Sequence, residues 1–188
     1  MTSVFLKSAS HISELPESNK PHIAMVGRSN VGKSSLINDL CNQKDLARVS
    51  AEPGRTQLMN FFEIDGRFLL VDLPGYGFAK ASKEKRLGFS DMIHNYLWQV
   101  QQLKLVLLII DARIGPTDLD HEMLHVLTTA TIPFVMIANK IDKLSRSEAT
   151  NLDRQLDAQF PGAMIIPHSL VTGAGKGEIR AIIDQAIR

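Results

Sequence analysis

The chain has 188 residues, of which 44% are hydrophobic and 22% charged, and its formal net charge is +1. This composition excludes an intrinsically disordered chain, and the balanced charge gives no reason to expect DNA as a partner. The single cysteine, Cys41, excludes an intramolecular disulfide and fits a reducing cytoplasm. Residues 1–16 lack a signal-peptide pattern, and the longest apolar run, residues 105–110, is too short to cross a bilayer. We therefore expect a cytoplasmic protein with no membrane partner.

Apolar runs predict strands over 22–27, 60–65, 67–72, 104–111, 133–140 and 163–169, with a further strand over 3–8. Helical patterns fill most of the gaps, over 34–42, 83–101, 118–129, 145–159 and 175–187. The alternation predicts a three-layer α/β fold, with residues 1–188 forming a single domain around a doubly wound sheet. Asp65-Gly66 is a hairpin signal between two strands, so one edge strand of an otherwise parallel sheet is predicted to be antiparallel.

Residues 27–34 form a complete G-x-x-x-x-G-K-[ST] motif between a predicted strand and a predicted helix. Its glycines let successive backbone N–H groups converge on a polyphosphate. Lys33 would reach the β- and γ-phosphate oxygens, and the Ser34 hydroxyl would join a Mg²⁺ shell. ATPases, GTPases and small-molecule kinases share this motif. The predicted phosphate-binding residues are Gly27, Arg28, Ser29, Asn30, Val31, Gly32, Lys33 and Ser34.

The base is indicated by Asn139-Lys140-Ile141-Asp142, which follows the apolar run 134–137. The Asp142 carboxylate offers two acceptors to the N1–H and exocyclic amine of guanine, whereas adenine lacks that donor pair. Because an unpaired buried polar group costs roughly 1–3 kcal/mol, this residue favours guanine. Asn139 would contact the far edge of guanine and tie the loops together, and the Lys140 stem would lie along the ring face. A backbone amide within Ser169-Leu170-Val171 would contact the guanine oxygen.

Two further motifs lie between the phosphate and base motifs. Asp72-Leu73-Pro74-Gly75 ends a predicted strand, so Asp72 would hold a Mg²⁺ water and the Gly75 amide would sense a γ-phosphate. Gly54-Arg55-Thr56 precedes another strand and supplies the Thr56 hydroxyl for Mg²⁺. The segments 43–59 and 73–90 are predicted to be the two switch loops. The predicted metal ligands are therefore Ser34, Thr56 and Asp72, and the order of the motifs predicts a GTPase.

With these motifs the chain resembles the EngB (YihA/YsxC) family of bacterial GTPases, in the TRAFAC class of translation-associated GTPases. One departure is Asn139, where we expect many family members to carry Thr; Asn is commoner across GTPases, so guanine selection is unaffected. The resemblance spans nearly the whole chain. The phrases that carry it are residues 27–38, Pro53-Gly54-Arg55-Thr56-Gln57, Asn60-Phe61-Phe62, Asp72-Leu73-Pro74-Gly75-Tyr76-Gly77, Asp111-Ala112-Arg113 and Gly115-Pro116-Thr117.

The resemblance implies a Ras-like P-loop GTPase fold, GTP or GDP with Mg²⁺ as ligands, and a slow GTPase that acts as a nucleotide-dependent switch. The implied partner is the assembling large ribosomal subunit, through its rRNA and proteins, and family members are associated with normal cell division and septation. We expect a monomer. An alternative is a GTPase that couples turnover to RNA modification or transport, but such proteins usually carry extra domains or membrane helices.

The predicted catalytic residues are Lys33, Asn30, Thr56 and Gly75. Many GTPases carry a water-orienting Gln after the Asp-x-x-Gly motif, whereas this chain has Tyr76, whose bulk favours a retracted, structural orientation. We therefore expect a low intrinsic rate that a partner or K⁺ raises. Asn30 either holds K⁺ through its side-chain carbonyl, as in potassium-activated GTPases, or only braces the loop. Arg28 is expected to contact solvent or a partner, with a catalytic role for Arg55 a weaker hypothesis.

Two other motifs have competing interpretations. The basic cluster Lys80-Ala81-Ser82-Lys83-Glu84-Lys85-Arg86 either binds RNA phosphates in one nucleotide state or is a solvated helix start. His121-Glu122-Met123-Leu124-His125 matches the H-E-x-x-H zinc motif and falls in a predicted helix, which makes a zinc peptidase a remote alternative. No obvious third ligand is paired with this motif.

Overall fold

The computed structural model describes residues 2–48, 58–77 and 83–188. Every predicted strand and helix is confirmed to within two residues at each end, including the strand near the start of the chain. The strands are β1 Ser3–Ala9, β2 His22–Gly27, β3 Met59–Ile64, β4 Phe68–Asp72, β5 Leu103–Asp111, β6 Phe134–Asn139 and β7 Ile165–His168. The helices are α1 Lys33–Cys41, α2 Lys83–Gln99, α3 Asp118–Thr129, α4 Arg146–Gln159 and α5 Lys176–Ala186.

The strands form one mostly parallel sheet in the order β1-β3-β4-β2-β5-β6-β7. The antiparallel strand is β3, joined to β4 through Asp65 and Gly66, both of which have the positive φ that this tight turn requires. β1 pairs with the other side of β3 and so forms the edge of the sheet, leaving the antiparallel strand one position inside it. The predicted α/β class and hairpin are confirmed.

Both faces of the sheet are covered, as the apolar strands require. Alternate residues of β2 point to opposite faces: Ile23 and Met25 pack with α1 and α5, whereas Ala24 and Val26 pack with α2, α3 and α4. All four side chains are completely buried. This central strand therefore fixes the position of the loop that follows it.

The carboxyl ends of the parallel strands meet at one rim of the sheet, where doubly wound folds bind their ligands. Strand pairing places Asp111 of β5 beside Asn139 of β6, and Asn139 in turn beside His168 of β7. Gly27 and Asp72 end β2 and β4 at the same rim. The predicted phosphate and base motifs are therefore neighbours in space.

Candidate functional site

The loop over residues 28–32 joins β2 to the first turn of α1. Asn30 and Gly32 have φ of 64° and 107°, and these left-handed residues turn the backbone so that its amides lead into the helix N-terminus. Lys33 is buried and folds back over the loop, with Nζ 3.2 Å from the carbonyl oxygen of Gly27 and 3.5 Å from that of Arg28. Burial lowers the pKa of Lys33, although Asp72 opposes this shift. A bound polyphosphate would supply the negative charge that this buried ammonium lacks.

Ser34 and Asp72 form the part of the predicted metal site that the structure describes. The Ser34 hydroxyl donates to Oδ2 of Asp72 at 3.3 Å, and Oδ1 of Asp72 is buried with no hydrogen-bond partner among the described residues. Burial raises the pKa of Asp72, against the opposing effects of Lys33 and Ser34. An orphaned carboxylate oxygen beside a hydroxyl fits Mg²⁺ and its water, which these two residues would hold. Gly54, Arg55 and Thr56 lie outside the described residues.

The Asp-Leu-Pro-Gly segment, residues 72–75, is seated directly on the phosphate loop. The Ser29 amide donates to the carbonyl oxygen of Tyr76 at 3.0 Å, and the Tyr76 amide donates to that of Gly27 at 3.4 Å. A Cβ on Gly75 would lie only 3.0 Å from both Nζ of Lys33 and the Ser29 nitrogen, so glycine permits this approach. Leu73 and Pro74 are buried within the segment.

Tyr76 is turned away from the phosphate loop, as its bulk predicted. Its hydroxyl donates to Oδ1 of the buried Asp120, at 2.8 Å, and burial followed by the charge of Asp120 raises the pKa of Tyr76 well above its usual value. Arg28 was predicted to contact solvent or a partner; most of its side chain is turned away from solvent, and the partner contact stays a prediction. Its Nε lies 3.3 Å from Oδ2 of Asp120, and only 19% of its side chain is exposed.

Asp120 is thus a shared acceptor that sequence reasoning missed. It also accepts from the amide and the hydroxyl of Thr117, at 2.9 and 2.8 Å, and so closes the capping box of α3. The sequence feature that could have identified this capping role of Asp120 is the Thr-x-x-Asp pattern at the start of a predicted helix. The contacts with Arg28 and Tyr76 carry no local pattern, because 92 and 44 residues separate the partners in sequence.

The base motif is held against the phosphate loop by Asn139 and Lys140. The Asn139 amide group donates to the carbonyl oxygen of Val31, and Nζ of Lys140 donates to that of Asn30, both at 2.8 Å. A Cβ on Gly32 would overlap Nδ2 of Asn139, so only glycine leaves room for this bridge. The predicted tie between the two loops is therefore present in the structure.

Asp111, which the predicted site omitted, anchors the Lys140 side chain. One carboxylate oxygen lies 2.8 Å from Nζ of Lys140 and 2.6 Å from Nη2 of Arg113. Burial would raise the pKa of Asp111, but the hydrogen bonds from Arg113 and Lys140 outweigh it and lower the pKa to about 2. The sequence feature that could have identified Asp111 is its position as an acidic residue at the carboxyl end of a parallel strand, one strand away from the base motif.

Asp142 lies at the open side of the base motif, where the Ser169 hydroxyl donates to its Oδ1 at 2.7 Å. This hydrogen bond is the main reason why the pKa of Asp142 is lowered. The Ser169 hydroxyl in turn accepts from the amides of Val171 and Thr172, both at 3.1 Å. The side chains of Leu170 and Val171 are exposed, with relative exposures of 52% and 75%. The two predicted base-contacting segments, Asn139–Asp142 and Ser169–Val171, are therefore brought together.

The H-E-x-x-H segment on α3 does not form a zinc site. Nε2 of His121 lies 3.2 Å from Oε1 of Gln159, and its ring packs 4.9 Å from that of Phe160. Within residues 2–48, 58–77 and 91–188, whose side chains the structure describes, no three His, Cys, Asp or Glu side chains are grouped to hold a metal. The zinc peptidase alternative is therefore wrong on the described residues. The helical spacing was correct, but a zinc site also needs a third ligand from elsewhere in the fold.

A parallel sheet with this phosphate loop after β2 and an Asn-x-x-Asp motif after β6 defines the class of P-loop GTPases. The model of a family described as "50S ribosome-binding GTPase" matches residues 22–140. A "Probable GTP-binding protein EngB" of Desulforamulus reducens is 43% identical over 187 residues, covering 97% of this chain and 91% of the relative. Its counterpart in Lactobacillus helveticus is 39% identical, covering 99% and 97%. The chain belongs to the EngB family of GTP-binding proteins, and its activity is GTP hydrolysis.

Solved structures agree with this assignment. The "Crystal structure of a probable GTP-binding protein engB" aligns with a TM-score of 0.73 and 26% identity, over 89% of this chain and 98% of that one. Era in complex with MgGDPNP and a 16S ribosomal RNA fragment has a TM-score of 0.72 at 24% identity, over 89% of this chain and 57% of that one, which shows the fold alone. Among the described helices, none combines the length and apolar character needed to span a membrane.

Proposed function

We propose that this GTPase is a nucleotide-dependent switch in assembly of the large ribosomal subunit, acting as a monomer of one domain in the cytoplasm. GTP or GDP with Mg²⁺ would bind along the phosphate loop, with guanine against Asp142. The description of the matching family as 50S ribosome-binding supports the partner. The association of the family with cell division and septation would follow from ribosome supply.

The observation that carries the switch is the seating of residues 72–76 on the phosphate loop. The backbone hydrogen bonds of Tyr76 to Ser29 and Gly27 hold Gly75 against Lys33. Lys33 and the Gly75 amide are the groups that a γ-phosphate would engage, so a bound triphosphate competes with this arrangement. The proposed switch therefore predicts a second position of this segment when a triphosphate is bound.

The position of Tyr76 supports the proposal of slow hydrolysis. Because Asp120 holds its hydroxyl, this side chain is not available to orient an attacking water. A partner group or K⁺ would supply the missing part, with Lys33, Asn30, Thr56 and Gly75 serving the phosphates. A correctly placed arginine from a partner adds on the order of 10³–10⁵-fold in related reactions.

Asp142→Asn tests the base assignment and the partner together. The amide presents a donor where guanine also presents one, so GDP affinity should fall at least about tenfold while xanthosine diphosphate binds better. Asp153→Asn, an exposed carboxylate on α4, is the matched control. Calorimetry measures both affinities, and unchanged GDP affinity in Asp142→Asn would contradict the base assignment.

The partner is tested by gradient sedimentation with large-subunit precursors. We expect the parent protein to co-sediment with a GTP analogue and not with GDP, whereas Asp142→Asn should co-sediment with the xanthosine analogue. Free protein at the top of the gradient in every nucleotide state would rule out the assembly role.

A further inference from the structure

His168 occupies a position in the base site that the GTPase motifs leave without a role. It is 1% exposed at the end of β7, directly beside Asn139 in the strand register. Its Nδ1 lies 2.8 Å from Oδ1 of Asn139, and its Nε2 lies 3.4 Å from Oδ2 of Asp39 on α1. The ring is therefore placed between the base motif and the helix that follows the phosphate loop.

The orientation of the Asn139 carboxamide follows from its partners. Its nitrogen faces the carbonyl oxygen of Val31, which can only accept, so Oδ1 must face Lys140 and His168. Oδ1 already accepts the Lys140 amide hydrogen at 2.9 Å. The Nδ1 atom of His168 must then carry a hydrogen, because two facing acceptors 2.8 Å apart would repel.

The surroundings of the ring favour the neutral imidazole, in which Nδ1 carries the hydrogen; Nε2 is then an acceptor, so its 3.4 Å contact with Oδ2 of Asp39 is not a hydrogen bond. Burial is the main cause that lowers the pKa of His168, against the opposing effect of Asp39. Nζ of Lys176 lies 2.8 Å from Oδ1 of Asp39, and so offsets the carboxylate charge that would draw a second proton onto Nε2. Asp142 is the other charged group that acts on the ring, and it too favours protonation. The burial and Lys176 together outweigh both carboxylates.

We propose that His168 is a positioning residue for guanine recognition, which donates its Nδ1–H to Asn139 and so locks the carboxamide in the orientation that joins the phosphate loop to the base motif. Without this donor the carboxamide is free to turn, the bridge to Val31 is lost, and the Lys140–Asp142 turn loses its fixed distance from the phosphates. The inference rests on the proposed assignment of Asn139 and Asp142 to the guanine site.

The first test is spectroscopic and uses the parent protein. Long-range ¹H–¹⁵N NMR correlations of histidine rings distinguish the two neutral tautomers, and His168→Asn identifies the signal. We expect the Nδ1–H form at pH 7.5, both with and without GDP. The Nε2–H form would overturn the inference, whatever the variants do.

The second test compares two side chains that keep different halves of the ring. His168→Asn places an amide N–H near the position of Nδ1, whereas His168→Gln places it near that of Nε2. We expect His168→Gln to bind GDP about tenfold more weakly and His168→Asn to stay within about threefold of the parent. His94→Gln, an exposed histidine on α2, is the matched control.

Thermal melting without nucleotide accompanies each affinity measurement, because a merely structural role would lower the affinity of both His168 variants in step with their stability. Equal losses in His168→Asn and His168→Gln, or no loss in either, would overturn the inference. If Asp142→Asn leaves GDP affinity unchanged, the assignment of the guanine site itself fails. If Asp142→Asn strongly weakens GDP binding and His168→Gln does not, the guanine site stands and only the proposed role of His168 is refuted.

Discussion

His22, at the start of β2, should make folding stability depend on pH in a defined window. The side chain is 2% exposed, and its Nδ1 lies 2.8 Å from the hydroxyl of Tyr96. Nε2 is buried with no hydrogen-bond partner among the described residues. The ring packs 6.0 Å from Phe61 and 6.1 Å from Tyr96. Burial in this environment lowers the pKa of His22 from 6.5 to about 4.

The sign of the effect follows from the direction of this shift. Above pH 6.5 the imidazole is neutral in both the folded and the unfolded chain, so its contribution to stability is complete. Between pH 6.5 and about 4 the unfolded chain binds a proton that the folded chain does not, so stability falls as pH falls. The shift corresponds to about 3 kcal/mol below pH 4, and to about 2 kcal/mol between pH 7.5 and 5.0.

Urea unfolding of the nucleotide-free protein, followed by far-UV circular dichroism at pH 7.5 and 5.0, measures this contribution. In His22→Asn the titrating ring is absent, so the fall in the free energy of unfolding should be smaller than in the parent by about 2 kcal/mol. His94→Asn, on the exposed face of α2, should keep the parent dependence. The same pH dependence in the parent and His22→Asn would refute the reasoning.

Two further predictions concern the phosphate loop. Gly75→Ala adds a methyl 3.0 Å from Nζ of Lys33 and the Ser29 nitrogen, so hydrogen exchange in residues 72–77 should no longer differ between GTP analogue and GDP. Gly177→Ala, whose methyl meets open space, is the control. A preserved difference in Gly75→Ala would contradict the proposed switch. If Asn30 holds K⁺, GTP hydrolysis should be faster in K⁺ than in Na⁺, and Asn30→Ala should remove the difference; equal rates in the parent would refute that role.

The parts of the site that sequence predicted are those carried by local patterns. The phosphate loop and the Asn-x-x-Asp motif each follow an apolar strand, and parallel strands bring their carboxyl ends to one rim whatever their order along the chain. For that reason Lys33, Asp72 and Asp142 could be placed in one site before any contact was known. The hairpin at Asp65-Gly66 was equally local, since its turn needs residues that adopt positive φ.

The parts that sequence missed depend on contacts between distant segments. The Asp120 carboxylate accepts from the Tyr76 hydroxyl and forms an ion pair with Arg28, whereas its local pattern indicates only a helix cap. The neighbour of Asn139 is His168, and their pairing depends on the register of two parallel strands. The hydrophobic pattern alone does not determine that register to the exact residue. The zinc motif stayed a remote alternative for a related reason, because the spacing on α3 supplies two ligands and says nothing about a third.

The described part of the site contains two buried charged groups that the chain itself pairs only in part. Lys33 has a lowered pKa and only carbonyl partners, while one oxygen of Asp72 has no partner among the described residues. Buried charged groups without full partners reduce folding stability, and a polyphosphate with Mg²⁺ would pair with both Lys33 and Asp72. A ligand at one hundred times its dissociation constant stabilises a fold by about 2.7 kcal/mol. The partly paired charges of Lys33 and Asp72 therefore favour binding of the nucleotide and Mg²⁺. His168 contrasts with these groups, because the chain itself supplies the acceptor for its Nδ1–H, as expected of a residue that positions rather than binds.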